Sequence, residues 1–169
     1  CAASSRSGVR RACGTGQGQR RMSGFSMADR AQRTWNIASR LEDAPSVVRD
    51  ILSALAEHGY HENACFAVHL ALDEAITNAI RHGNCCDPDK TVRIDLRICD
   101  QRVVIDIEDQ GPGFDPEALP DPTVGENLEK PHGRGVMLMR AYMTEVSYNA
   151  RGNRVTLVKE RNCTLPTQA

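Results

Sequence analysis

The sequence predicts an α+β domain, a two-layer sandwich in which helices cover one face of a mixed, mostly antiparallel sheet. Residues 92–98 and 103–108 alternate side chains with a period of two, so each reads as a strand with one buried and one wet face. Two segments with helical spacing, 43–57 and 62–82, come one after the other before them. Strands and helices therefore do not alternate as a doubly wound parallel sheet requires. The helices are long enough to cover the buried face.

In chain order, Arg33 to Ser39 reads as a short strand. Asp43 is placed to cap a helix with Pro45 near its first turn, running to about Glu57. Val47, Val48, Ile51, Leu52 and Leu55 make its inner face, and Gly59 ends it. A second helix runs from about Glu62 to His82 and stops at Gly83. In the first of the alternating strands, Val92, Ile94, Leu96 and Ile98 face one way. In the second, Val103, Ile105 and Ile107 do, and Asp100–Gln101 suits the hairpin between them. From Asp109 to His132 glycines and prolines predict a loop. A third helix spans roughly Arg134 to Met143. Two closing strands, Glu145–Asn149 and Arg154–Glu160, are turned by Arg151-Gly152-Asn153.

A chain of 169 residues fits one domain, and 40% hydrophobic with 25% charged residues is an ordinary globular composition. No run approaches the roughly eighteen apolar residues of a membrane helix. Residues 1–31 form a basic Gly/Ser/Arg-rich tail that cannot bury enough apolar surface to offset chain entropy, so disorder is expected there. The first thirty carry six Arg against one Asp, which leaves 15 basic and 21 acidic residues elsewhere, a net charge of −6. Neither nucleic acid nor membrane is the expected partner of so acidic a fold. The domain is expected over 32–161, followed by a short tail at 162–169. The seven cysteines are odd in number and none has C-x-x-C spacing; with no secretory signal, the expected setting is a reducing cytoplasm.

Chemistry-bearing residues begin on the second helix. Glu74 and Asn78 are four apart, so their side chains leave the same face one turn apart. A carboxylate and an amide oxygen held this way suit a general base and a hard-cation ligand; the spacing alone is also that of a solvated helix face. Asp109 ends a strand and is followed by Gly111 and Gly113, which puts an acceptor beside backbone free to pass close to a ligand. A carboxylate there accepts the exocyclic amino hydrogen of adenine and repels the oxygen that guanine presents; a local cap in a Gly-Pro-Gly turn is the other reading. Gly133-Arg134-Gly135 opens the third helix, where free amides and the helix dipole favour phosphate. Arg134 opposes that dipole unless phosphate sits beside it, at a cost of only a few tenths of a kcal/mol.

The order Glu74-x-x-x-Asn78, Asp109-x-Gly111-x-Gly113, Gly133-x-Gly135 resembles the N, G1 and G2 boxes of the ATPase fold shared by gyrase, MutL and histidine kinases. The run Asp73 to Gly83, with Asp109-Gln110-Gly111-Pro112-Gly113-Phe114-Asp115 and Gly133 to Arg140, is more similar to anti-sigma-factor serine kinases. The resemblance covers residues 34–161. It implies that ATP and Mg2+ bind, with Asn78 on the metal and Asp109 on adenine. Gly111 and Gly113 would shape that pocket, and Gly133, Arg134 and Gly135 would meet phosphate from the hinge of a lid over Phe114 to His132. It makes Glu74 the base that takes a serine proton, with Arg81 or His82 touching phosphate or partner or serving the helix end. Thr156 is the candidate for a second adenine contact, although the family's Gly-Thr is here Gly152-Asn153-Arg154. The implied partners are an antagonist protein and a sigma factor. Exposed apolar residues on the first helix or on Ala141–Met143 are candidates for a partner or homodimer surface as well as for the core. The implied function is a serine/threonine protein kinase; an ATP-dependent switch that captures a partner without phosphorylating it uses the same pocket.

Overall fold

The computed structural model describes residues 31–116 and 134–161. Residues 1–30 of the expected N-terminal tail, the expected tail at 162–169, Gly133, the expected lid beyond Pro116 and the side chain of Arg134 lie outside the described residues, while Ala31, expected in the tail, opens the first strand. The elements are β1 (Ala31–Ala38), α1 (Ala44–Glu57), α2 (Glu62–Asn78), β2 (Thr91–Ile98), β3 (Arg102–Glu108), α3 (Arg134–Tyr142), β4 (Glu145–Tyr148) and β5 (Arg154–Glu160). The sheet order is β1-β2-β3-β5-β4. Each pairing is antiparallel, so the described strands contain no parallel pair and the expected mixed sheet becomes an antiparallel one. The reason lies in the last hairpin. β4 runs in the same direction as β3, but β5 folds back between them and takes both sets of hydrogen bonds.

Alternation sorts the sheet as the sequence requires. Ile94, Leu96 and Ile98 of β2, with Val103, Ile105 and Ile107 of β3, are buried beneath the helices. On α2 the stripe Val68, Leu72, Ile76 is fully buried, while Ala64, Ala71 and Ala75 keep the helix close to the strands. Each large side chain so buried contributes about 1.5–3 kcal/mol. The helix touches both α1 and α3, which makes it the centre of its layer. On α1, Val47, Val48, Ile51 and Leu55 are core, and Leu52 is half-buried against it. Most of the apolar α1 face is thereby removed as a partner surface, as is Met143, which is buried.

Two local expectations change. Asp43 stands at the N-cap of α1 but makes no capping bond with its side chain; instead the Ser46 hydroxyl donates to the Asp43 carbonyl at 2.9 Å. Regular α-helix ends at Asn78 rather than His82, and Ala79–Gly83 form a wider π-helical turn. Its signature is the Asn84 amide donating to the Ala79 carbonyl at 2.8 Å. Such widened turns cluster at functional positions, and this one delivers His82 and Gly83 to the cleft described next.

Candidate functional site

A cleft of ≈ 320 Å³ opens between the end of α2, the end of β3 and α3. Its floor is apolar: Ala75 and Ala79 of α2, Ile107 of β3, Val155 of β5, and Val136 and Met139 of α3. Phe114 and Tyr148 also line it, edge to face with ring centroids 5.1 Å apart. An apolar slot with few, well-placed polar groups is the shape of a small-molecule site.

Asp109 is the charged group at one end of that slot. Burial pushes its carboxyl above the ordinary carboxylate range, opposed by the Gly111 amide and the Arg151 guanidinium. The Gly111 amide donates to Oδ1 at 2.8 Å. Glycine is required around it on steric grounds. A Cβ at Gly83 would overlap the Asp109 carboxylate, and one at Gly111 would overlap the Gly83 carbonyl. Gly113 and Gly152 have φ of +78° and +74°, and each turns its Cα against the other loop's carbonyl, at Arg151 and Phe114 respectively. Arg151 ties the same loops together by donating to the Gly111 carbonyl at 3.0 Å.

Glu74 and Asn78 stand along the same side of α2, both half-buried. The Asn78 amide donates through Nδ2 to Glu74 Oε1 at 2.8 Å, which leaves Oδ1 as the atom for a cation. Gly135 on α3 lies so close that a Cβ there would overlap Glu74 Oε1. Among the described residues no group of three or more His, Cys, Asp or Glu could hold a metal. That donor set fits a magnesium ion which takes most of its oxygen ligands from phosphate and water, and not a protein cage.

Of the residues singled out in the sequence, Asn78, His82, Asp109 and Gly113 line the cleft. Gly111 packs behind Asp109, and Gly135 packs over Glu74. Arg81 is exposed and does not line it. Thr156 is a correction: its hydroxyl donates to Asp106 Oδ1 at 2.5 Å on the open face of the sheet, opposite the helices and the cleft. Its neighbours Val155 and Leu157 are the inward residues of β5, so Thr156 must point outward. Sequence reasoning missed Gly83, Tyr148, Gly152 and Asn153 as residues that line the cleft, and Asn84 as a residue bonded behind it to the Gln110 amide. Gly83 carried a signal in following the Glu74–Asn78 helix directly; the two asparagines carried none, because their partners are distant in sequence.

Residues 37–159 match the family described as Histidine kinase-like ATPase domain. This chain belongs to that family. An anti-sigma F factor of Clostridium perfringens (strain SM101 / Type A) is 34% identical over 101 residues, covering 56% of this chain and 71% of that protein. Serine/threonine-protein kinase BtrW of Bordetella bronchiseptica is 31% identical, covering 54% of this chain and 68% of that one. Among solved structures, the RsbU and RsbW domains of Rv1364c from Mycobacterium tuberculosis superpose with a TM-score of 0.54 at 16% identity. That match covers 78% of this chain and 32% of that longer one, and it speaks to the fold alone. Membership in an ATPase domain family implies that the domain binds ATP. Among the described residues no helix is long and apolar enough to cross a membrane.

Proposed function

We propose that the domain binds magnesium-ATP and transfers its γ-phosphoryl group to a serine hydroxyl of a small antagonist protein. In the same reading it sequesters a sigma factor when that antagonist is absent, as a cytoplasmic partner switch and in a homodimer. The observation that supports it best is the Glu74–Asn78 pair, joined at 2.8 Å on the helix that also walls the Asp109 cleft. The cleft then holds a base-recognition carboxylate and a cation ligand, with the proton acceptor one helical turn from that ligand on α2. Resemblance to an anti-sigma F factor and to a serine/threonine-protein kinase supports the choice of partner class.

In this mechanism Asp109 accepts the adenine amino hydrogen, and the apolar floor excludes water around the ring. Asn78 Oδ1 is the protein's ligand to magnesium, which supplies charge neutralisation to the phosphates when bound. Gly133, Arg134 and Gly135 would contact phosphate. Glu74 takes the proton from the serine hydroxyl as its oxygen bonds to the γ-phosphorus, and the bond from that phosphorus to the β–γ bridging oxygen breaks to release ADP. Phosphoryl transfer is mainly positioning and charge neutralisation, so these few groups suffice. Glu74→Ala is expected to lower transfer about 10²–10⁴-fold while ATP affinity stays within a few-fold. Phosphoserine would be followed by intact mass of the antagonist, and undiminished turnover in that variant would remove Glu74 from the role of base.

A second reading, an ATP-dependent protein-binding switch without kinase activity, is favoured by one feature. Glu74 Oε1 already accepts from Asn78 and lies against Gly135, so a serine hydroxyl must reach the other carboxylate oxygen or displace these contacts. Labelled ATP with candidate antagonists separates the two: the switch predicts ATP-dependent capture with no phosphoserine.

A further inference from the structure

We infer that Asn84 and Asn153 are positioning residues for purine recognition, clamping the Asp109–Gln110 peptide between them and so aiming the Asp109 carboxylate. The inference rests on the reading of Asp109 as the group that recognises the base.

Among the described residues the buried polar or charged side chains are Ser39, Asn84, Asn153 and Lys159, and the first three belong to one network. The two sides of a single peptide group are held by two side-chain amides. Asn153 Nδ2 donates to the Asp109 carbonyl at 2.9 Å, and the Gln110 amide donates to Asn84 Oδ1 at 2.8 Å. The Asp109 amide, on the preceding peptide, donates to the Asn153 carbonyl at 3.0 Å. The backbone on either side of the Asp109 Cα is therefore restrained, which leaves only the side-chain torsions to aim the carboxylate. The Gly111 amide on Oδ1 and the Gly83 Cα against the carboxylate limit those.

Asn84 itself is immobilised. It is fully buried, and Nδ2 donates to the Ser39 hydroxyl at 2.6 Å and to the Thr91 carbonyl at 3.0 Å. The Thr91 amide in turn donates to Gln110 Oε1 at 2.8 Å, which closes a ring through the start of β2. Asn84 follows the π-helical turn directly, so the helix bearing Asn78 and the loop bearing Asp109 are registered through one buried amide. A buried amide with each group bonded is costly to disturb, because every lost partner strands another buried group. Asn84 does not line the cleft. Any effect it has on choice of base is therefore indirect, and the bond to the Gln110 amide carries it to Asp109.

The test is calorimetric titration of the whole chain with magnesium-ATP and, separately, magnesium-GTP, for wild type, Asn84→Ala and Gln110→Ala. Wild type that takes up no ATP overturns the reading of the cleft itself, before any variant is compared. Given binding, Asn84→Ala is expected to weaken ATP at least tenfold and GTP much less, so that the preference for adenine narrows at least threefold. A purely structural role would weaken both nucleotides alike. Gln110 is exposed, and Gln110→Ala removes only the Thr91 link, so it decides the matter if Asn84→Ala does not fold. It is expected to narrow the preference by a smaller factor. An unchanged ATP-to-GTP ratio in the folded variants overturns the inference.

Discussion

At Asp109 stability and the proposed recognition of adenine pull in opposite directions. Burial raises its folded-state carboxyl above the unfolded value. The folded chain then holds the proton more tightly than the unfolded chain, so stability declines as pH rises from the ordinary carboxylate range through the raised folded value. Asp109→Asn removes the ionised group and that cost, and its urea midpoint at pH 7 is expected to be no lower than wild type. Recognition moves the other way. A hydrogen bond to a charged group is worth about 1.5–3 kcal/mol, so ATP affinity is expected to fall about 10–100-fold, with preference over GTP narrowed because the new amide can donate to the guanine oxygen. Titrating ATP affinity against pH checks the same group. Wild type loses affinity on acidification at a higher pH than an ordinary aspartate would, and Asp109→Asn lacks that step. Tyr148, raised by burial against the opposing pull of Arg140 and with a smaller push from Glu74, is the other cleft group whose ionised form the site disfavours.

Among elements, α3 is the one on whose placement the proposed transfer depends. Its first turn presents Gly135 to Glu74, and its last carbonyl region is held from below. Lys159 of β5, 2% exposed, donates through Nζ to the Tyr142 carbonyl at 2.8 Å. A cation at a helix C-terminus is favoured by the helix dipole as well as by the bond. Lys159→Met keeps most of the volume and removes the donor, so a loss of about 1–3 kcal/mol in urea denaturation is expected. Gly135→Ala acts at the other end. The added methyl must displace Glu74 or α3, which costs about 1–3 kcal/mol as overpacking, and phosphoserine formation is expected to fall more than ATP affinity. Equal losses in both would show that Gly135 supports the nucleotide cleft and not the base.

Over the whole molecule, α2 is the shared wall between core and cleft. Ile76 is fully buried in the core, between Glu74 and Asn78 in sequence but turned to the sheet. Ile76→Ala is expected to cost about 2–5 kcal/mol of stability, with a thermal midpoint that recovers in part when ATP is added. Linkage sets the size of that recovery: nucleotide at a hundred times its dissociation constant stabilises by about 2.7 kcal/mol. Thermal unfolding of wild type with and without magnesium-ATP is the corresponding control, with an upward shift of roughly 5–10 °C expected at that excess.

Much of this was legible in the residues alone. Period-two alternation in Val92–Ile98 named the inward face of β2, and the four-residue spacing of Glu74 and Asn78 put both on one side of a helix. The same rule also held the answer for Thr156, since a residue between inward Val155 and Leu157 faces away. Spacing of that kind is local, a property of backbone geometry that any stretch of chain carries with it. The tertiary structure decided what depends on chain segments meeting: the closeness of Gly135 to Glu74, the position of β5 between β3 and β4, and the convergence of Asn84 and Asn153 on one peptide. Those contacts join residues dozens of positions apart, and a hydrogen bond between such residues leaves no period in the sequence by which to find it.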